Sequence, residues 1–412
     1  MSRGDACKLH FPDAGMMCVR RWAGLCTSAT LRPRLLEHRE LLRIGSTGYD
    51  GFMPLTDLYE SASPCIVGFM SRMVQAPIGQ PPPFPDIIGT GSDIPPAAPY
   101  RILSLDGGGA KGFYTLGVLK EIEALAGKPL HEQFDLVFGT STGAIIAALV
   151  ALGSPVDEIH RLYREYVPVV MKRWTPSGKS KALERLASEV FGARTFADVK
   201  TGIGIVATHW TLEKPMIFKG TVAQAHGRHS TFVPGFGCTI ADAVRASCSA
   251  YPFFKRPRLT ISNGVNVELM DGGYCANNPT LYAIADAVIA LQKTFDAIRV
   301  VSVGVGVYPE PKRWGYGWLI RQFRAVQLLQ KTLNVNTFSM EQLRAILFKT
   351  IWTVRINDTF ERPEMATDLM EHDLTKLNML YQRGGESFGK HEIELKKLLD
   401  IAEKTATSGG GK

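Results

Sequence analysis

The chain has 412 residues, of which 45% are apolar and 21% are charged, so it can form one large core or two smaller ones. Its net charge of +8 favours anionic partners such as phospholipid surfaces or nucleotides. The best candidate for a membrane span, Ala144–Leu152, is far shorter than the roughly 20 residues that such a helix needs. The amino terminus lacks the apolar run of a secretory signal. We therefore expect a cytoplasmic protein that does not span a bilayer.

Residues 1–99 differ in composition from the rest of the chain. Their hydrophobic periodicity is poor, and prolines crowd their end between Pro81 and Pro99. This pattern predicts an irregular extension and linker. A start codon assigned too early, with initiation at Met70 or Met73, would give the same composition, and both interpretations stay open.

The cysteines give no sign of a disulfide framework or a metal site. There are seven, which is an odd number, and none forms a Cys-x-x-Cys pair or has histidines at zinc spacing. We therefore expect buried or incidental thiols, no metal and no cofactor.

From Tyr100 onward the sequence alternates between strand and helix patterns, which is typical of a doubly wound, mostly parallel sheet. A single α/β domain is predicted over residues 100–400, followed by a flexible tail at 401–412. Strands are predicted at Ile102–Leu105, Phe134–Phe138, Gly202–Ala207 and Ile298–Val305, and helices at Phe113–Leu125 and Thr142–Leu152.

A glycine-rich turn follows the first of these strands. It contains Gly107, Gly108, Gly109, Lys111 and Gly112, and a helix pattern begins at once. Successive glycines let backbone N–H groups face outward, as an oxyanion hole for acyl transfer requires. The same residues also satisfy Gly-x-Gly-x-x-Gly, the dinucleotide-binding fingerprint, so a non-catalytic module that binds nucleotide or phosphate is a second interpretation.

The segment Gly139-Thr-Ser141-Thr-Gly143 lies between a buried strand and an apolar helix. This is the setting that a nucleophile elbow requires, because the two glycines permit the tight turn that exposes the serine hydroxyl. The helix that follows directs its positive dipole end toward a developing negative charge. Ser141 is therefore the predicted nucleophile.

A third motif supplies a carboxylate. Asp271 follows a short apolar stretch and precedes Gly272 and Gly273. Alone, the motif would indicate an Asp-Gly turn. Beside the other two motifs, it predicts a base that accepts the serine proton.

These motifs resemble the patatin-like phospholipase family, which carries an Asp-Gly-Gly-Gly-x-Arg/Lys-Gly loop, a Gly-x-Ser-x-Gly elbow and an Asp-Gly-Gly/Ala motif in this order. The resemblance extends to Ala246–Phe254 and Ser302–Gly306. It implies a three-layer patatin-like fold, a Ser141–Asp271 dyad without histidine, and an oxyanion hole at the glycine-rich loop. Lys111 stands where the family usually has arginine.

The resemblance also implies a substrate and a regulator. The expected reaction is hydrolysis of a fatty acyl ester of a membrane phospholipid at the inner membrane surface, with no nucleic-acid partner. Compact bacterial members include antiviral effectors that a cyclic dinucleotide activates, so such an activator is a hypothesis here. Oligomeric state is open.

Two further questions stay open at this level. A Ser-His-Asp esterase is an alternative mechanism, with His372 or His391 as the histidine, although both lie among charged residues. Two stretches that mix cations with aromatics, Lys312–Arg324 and Lys172–Lys181, suit either a phospholipid interface or a helix packed on the core.

Overall fold

The computed structural model describes residues 8–11, 15–18, 98–227, 230–311 and 318–401, with the backbone alone described at 8–11, 15–18 and 318–323. The chain divides into two compact units, Met1–Thr90 and Gly91–Lys412. The described part of the first unit is an antiparallel hairpin of β1 (Lys8–Phe11) and β2 (Gly15–Cys18). Most of the predicted extension, the tail at 402–412 and residues 312–317 lie outside the described residues.

The second unit is built on a mixed sheet in which five strands are parallel, in the order β10-β9-β3-β4-β5. Three further strands, β6, β7 and β8, are antiparallel to their neighbours. The strand bounds are β3 (Tyr100–Leu105), β4 (Leu136–Thr140), β5 (Gly202–His209), β6 (Lys214–Lys219), β7 (Arg258–Thr260), β8 (Asn266–Asp271), β9 (Ile298–Val303) and β10 (Trp352–Ile356). The expected mostly parallel sheet is confirmed.

Helices cover both faces of this sheet. Their bounds are α1 (Gly112–Ala126), α2 (Leu130–Gln133), α3 (Thr142–Ala151), α4 (Val156–Met171), α5 (Pro176–Phe191), α6 (Ile240–Ser247), α7 (Gly273–Ala276), α8 (Thr280–Ala285), α9 (Trp318–Leu347) and α10 (Leu374–Leu398). Every residue of α3 is buried, which agrees with a sequence that is apolar on all sides of the helix.

The alternation of side chains along the strands produces two cores. On β3, Leu103 and Leu105 face the core beneath α1, α3 and α4, whereas Ile102 faces a smaller core beneath α7 and α8. The architecture therefore has three layers, helix, sheet and helix, as the family resemblance implies.

The edge of β5 that faces β4 has two partners in succession. Strand β4 runs parallel to it and ends where Thr140 pairs with Val206. Strand β8 arrives antiparallel along the same edge and ends where Asp271 pairs with Ala207. Strand β6 occupies the opposite edge of β5 over the same residues. Strands β4 and β8 therefore share one edge of β5, and their carboxyl ends lie opposite adjacent residues of β5.

Candidate active site

Ser141 lies between the end of β4 and the first residue of α3 in a backbone conformation that is rare for a side chain other than glycine. Its φ is 52° and its ψ is −122°. Such strain costs of the order of 1–3 kcal/mol and is retained where the surrounding structure enforces it. A Cβ at Gly139 would lie 2.3 Å from the Gly143 carbonyl oxygen, and one at Gly143 would lie 2.3 Å from the Leu105 carbonyl oxygen. Both motif glycines are therefore required by close backbone packing.

The Ser141 hydroxyl donates a hydrogen bond of 2.7 Å to Asp271 Oδ2. The other carboxylate oxygen, Oδ1, accepts the Gly273 N–H at 2.7 Å. Gly272 continues the turn, and its N–H donates to the Ser247 carbonyl. A buried carboxylate that contacts a serine hydroxyl directly can receive the serine proton without an intervening histidine.

Asp271 is buried, with 1% of its surface exposed. Burial raises the pKa of this carboxyl to about 6, although the hydrogen bonds from Gly273 and Ser141 oppose the rise. A base with a pKa of this size is ionised at neutral pH and is stronger than an ordinary aspartate.

The glycine-rich turn lies beside Ser141 because β3 and β4 are adjacent parallel strands, with Leu105 paired to Gly139. The Gly107 N–H donates to the Asn277 carbonyl at 2.9 Å and is therefore occupied. Gly108 and Gly109 line the same cavity as Ser141, and their N–H groups have no hydrogen-bond partner among the described residues. These two amides are the ones available to an oxyanion.

Lys111 and Gly112 end the turn and begin α1. The Lys111 N–H donates to the Gly108 carbonyl and the Gly112 N–H to carbonyls within the turn, so their amides are occupied. The Lys111 side chain is buried, and burial lowers the pKa of its ammonium group to about 8, while Asp368 opposes the change. A Cβ at Gly112 would lie 2.5 Å from Thr142 Oγ1, which explains the glycine.

Three residues that the motifs did not indicate hold this arrangement together. The Ser247 hydroxyl donates to the Val206 carbonyl at 2.5 Å and accepts the Ser141 N–H at 2.8 Å, which ties the elbow to β5. Asn277 Nδ2 donates to the Gly107 carbonyl at 3.1 Å. Arg355 on β10 forms a bidentate ion pair with buried Asp106, at 2.9 Å for Nη1 to Oδ1. The sequence signal was weak, since Ser247 lies within the family-like segment Ala246–Phe254, Asn277 follows the Asp271 motif by a few residues, and Arg355 lies outside every motif.

A cavity opens beside Ser141 and Asp271. Apart from these groups and the glycine-rich turn, its walls are mostly aliphatic, sulfur-containing or aromatic. They come from α3, α4 and α5 and from the segments around 254, 333 and 369: Ile145, Val167, Val170, Met171, Leu183, Leu186, Phe254, Leu333, Leu369 and Met370. An apolar cavity that ends at a serine hydroxyl suits a fatty acyl chain.

A second, smaller cavity adjoins the first. Ile145, Val167 and Leu186 line both cavities. The second continues between α3, α4 and α5 to Leu149 and Val190. The two cavities thus share a boundary of three aliphatic side chains, and the second cavity lies on the side of that boundary away from Ser141.

Neither histidine of the alternative mechanism is a hydrogen-bond partner of Ser141 or Asp271. His372 is exposed, and His391 lies on α10 with Nδ1 at 3.8 Å from Glu394. The Asp271 carboxylate accepts hydrogen bonds from the Ser141 hydroxyl and the Gly273 N–H. Across the described ranges, no cluster of three or more histidine, cysteine, aspartate or glutamate side chains has the arrangement of a metal site. The same residues contain no helix that combines the length and apolarity needed to cross a membrane.

The fold and this site define a lipid acyl hydrolase of a recognised type. Residues 103–284 match the family model described as "Patatin-like phospholipase". The chain is also 65% identical over 299 residues to a "cUMP-AMP-activated phospholipase" of Escherichia coli, across 73% of this chain and 93% of that protein. The chain belongs to the patatin-like phospholipase family, and it is a hydrolase that acts on lipid esters.

Two further relatives are more distant. A "cGAMP-activated phospholipase" of Pseudomonas aeruginosa is 28% identical over 217 residues, which is 50% of this chain and 62% of that protein. A "Calcium-independent phospholipase A2-gamma" of Oryctolagus cuniculus is 25% identical over 332 residues, which is 75% of this chain and 40% of that protein. The chain therefore spans less than two thirds of the length of these two relatives.

Proposed function

We propose that this protein cleaves fatty acyl esters of membrane phospholipids with Ser141 as nucleophile and Asp271 as general base. The observation that carries the proposal is the 2.7 Å hydrogen bond from Ser141 Oγ to a buried carboxylate beside an apolar cavity. The direct contact provides a proton acceptor for the hydroxyl as it attacks, and the cavity accommodates the acyl chain.

The first half of the reaction forms an acyl-enzyme. Ser141 Oγ attacks the ester carbonyl carbon while its proton passes to Asp271 Oδ2. The N–H groups of Gly108 and Gly109 hold the resulting oxyanion. The tetrahedral intermediate collapses, the bond to the glycerol oxygen breaks, and the lysophospholipid leaves with the proton from Asp271.

The second half regenerates the enzyme. A water molecule gives a proton to Asp271 and attacks the acyl carbonyl carbon, again with the oxyanion at Gly108 and Gly109. Collapse of this intermediate breaks the bond to Ser141 Oγ, which recovers the proton from Asp271, and the free fatty acid leaves.

Activation by a cyclic dinucleotide is the second part of the proposal. The supporting observation is the 65% identity to the "cUMP-AMP-activated phospholipase", which this chain matches along 93% of that protein's length. On this hypothesis the nucleotide is a signal, the protein acts peripherally on the inner membrane surface, and the cell's own phospholipid is the substrate, as in an antiviral effector.

One experiment tests both parts. Release of fatty acid from phospholipid vesicles is measured for the wild type, Ser141→Ala and Asp271→Ala, each alone and with cUMP-AMP or cGAMP. We expect release by the wild type only, and a marked increase with one nucleotide. Full activity of Ser141→Ala would refute the dyad, whereas equal rates with and without every nucleotide would refute the activation and leave the dyad standing.

A further inference from the structure

The corner between α4 and α5 exposes a large aromatic side chain. Trp174 is 76% exposed, and Val169 on the last turn of α4 is 49% exposed. Exposure of this much apolar surface is unfavourable in water and often marks an interaction site. Tryptophan in particular prefers the interface between water and lipid, where its ring is buried and its N–H stays hydrated.

Four exposed cations belong to the same corner, either by their place in the chain or through a contact with α5. Lys172 and Arg173 precede it, and Lys181 lies on α5. Lys255 joins them because its N–H donates to Ser180 Oγ at 2.8 Å. We call Val169, Lys172, Arg173, Trp174, Lys181 and Lys255 the rim patch.

The cations of the rim patch differ from two other cations on the same two helices. Arg161 and Arg185 each form an ion pair with a glutamate one helical turn further on. Within the ranges that the structure describes, none of the four rim-patch cations has a carboxylate at ion-pair distance. These four cations are therefore not held in ion pairs, and their positive charge attracts an anionic surface.

The rim patch adjoins the catalytic cavity. Val170 and Met171, which line the cavity, lie between Val169 and Lys172, and Phe254, which also lines it, precedes Lys255. The corner is held in place by Lys179, whose ammonium group donates to the Met171 carbonyl at 2.6 Å, and by Thr175, whose hydroxyl caps α5. A surface bound at this patch would therefore lie next to the cavity walls.

We propose that the rim patch docks the protein on an anionic phospholipid surface, so that a lipid can pass from the bilayer into the cavity. This inference rests on the proposed function. Trp174 and Val169 enter the interfacial layer, and the four cations contact lipid phosphates.

A second apolar surface lies on the outer face of α9, where Leu328, Val335 and Ile346 are each more than 60% exposed. The cations of that helix include Lys331 and Arg344, which are paired with Glu310 and Glu341. Among the described side chains, the α9 face thus has one unpaired cation, Arg324, against four in the rim patch, and it serves as the competing surface in the test.

Vesicle flotation tests the docking. The full chain carrying Ser141→Ala, which prevents hydrolysis during the assay, is mixed with vesicles of phosphatidylglycerol and phosphatidylcholine or of phosphatidylcholine alone, with and without cUMP-AMP. The rim variants are Trp174→Ala and the double variant Lys172→Glu/Arg173→Glu. The control for the tryptophan is Leu328→Ala/Ile346→Ala on α9. The control for the cations is Lys214→Glu/Lys349→Glu, which changes the net charge by the same amount. We expect each rim variant to lower partitioning onto the anionic vesicles about tenfold and the controls to leave it unchanged.

Hydrolysis of a soluble short-chain ester is measured in the same variants with Ser141 intact. Unchanged ester hydrolysis with lost vesicle binding supports the proposal, because docking and chemistry are then separate. Wild-type-like flotation of both rim variants would overturn it, as would loss of flotation in the α9 variant alone. A vesicle-free oligomer that Trp174→Ala dissociates would assign the patch to a second copy of the chain instead. Failure of every Ser141 form to cleave either the ester or the phospholipid, with and without cUMP-AMP, would refute the proposed function, whatever the flotation result.

Discussion

The two sides of the cavity are built in different ways. One side consists of the ends of β3, β4 and β8, where the hydroxyl of Ser141, the carboxylate of Asp271 and the Gly107 amide are each held by a hydrogen bond. The other side consists of α3, α4 and α5, which contribute aliphatic side chains such as Val167 and Leu186. On the first side, strand register sets the positions of the polar groups. On the second side, side-chain volume sets the shape of the cavity wall.

We therefore expect the strand-end side to control the rate of the reaction and the helical side to control which substrate is preferred. Changes on the strand-end side should lower the rate for every substrate, since they disturb the atoms that react or the backbone that places them. Changes on the helical side should alter which acyl chain fits, because packing there has no required polar contact. The predictions below test that division.

The largest effect is expected for Asp271→Asn. The amide can keep the shape of the side chain and its contact with the Gly273 N–H, but it cannot accept the Ser141 proton. We expect kcat to fall about 10³-fold, within the range that general bases contribute. Fatty acid release and thermal unfolding are measured together. A kcat within tenfold of the wild type, with the fold intact, would show that Asp271 is not the base.

The next effect is a dependence on pH that follows from the raised pKa of Asp271, about 6. Above this pH the carboxylate is ionised and can accept the serine proton. Below it the carboxyl is protonated, so kcat/KM should fall about tenfold for each further pH unit. A profile of soluble-ester hydrolysis from pH 4.5 to 8 provides the measurement, with circular dichroism to confirm folding. A flat profile across pH 5 to 7 would contradict the assignment.

Ser247→Ala should have a smaller effect through position alone. It removes the hydroxyl that joins the Ser141 N–H to the Val206 carbonyl and leaves both groups unsatisfied. We expect a loss of about 1–3 kcal/mol in the free energy of unfolding and a fall of roughly tenfold in kcat, with little change in KM.

Ser249→Ala is the matched control for this variant, because its buried hydroxyl donates to the Arg245 carbonyl and does not touch the elbow. Equal losses of kcat in the two variants would indicate general destabilisation rather than a positioning role for Ser247.

The smallest effects are expected on the helical side. Leu186 lies at the boundary of the two cavities, whereas Leu149 lines the distal cavity only. Leu186→Phe should narrow the boundary and shift the preferred acyl chain to a shorter length by a few-fold in kcat/KM, whereas Leu149→Phe should affect the longest chains only. Hydrolysis of an acyl-length series measures this. An identical profile for both variants would place the acyl chain elsewhere.

The sequence alone indicated much of the fold and the principal candidate residues. The predicted strands at Ile102–Leu105 and Gly202–Ala207 lie within β3 and β5, and the helix at Thr142–Leu152 matches α3 within one residue. These features depend on local patterns of apolar residues and glycines, which a single segment contains in full. The strands β6, β7, β8 and β10 and the helices other than α1 and α3 were not assigned, apart from the open alternative of a helix at Lys312–Arg324, since their pairing or packing partners are distant in the chain.

Only the tertiary structure decided how the motifs meet. Ser141 and Asp271 are 130 residues apart, and they come together because β4 and β8 end on the same edge of β5. The same sheet order brings Arg355 to Asp106 and assigns the Gly107 amide to Asn277. A local sequence pattern specifies a strand and the turn after it, but the neighbour of each strand is set by the packing of the whole sheet.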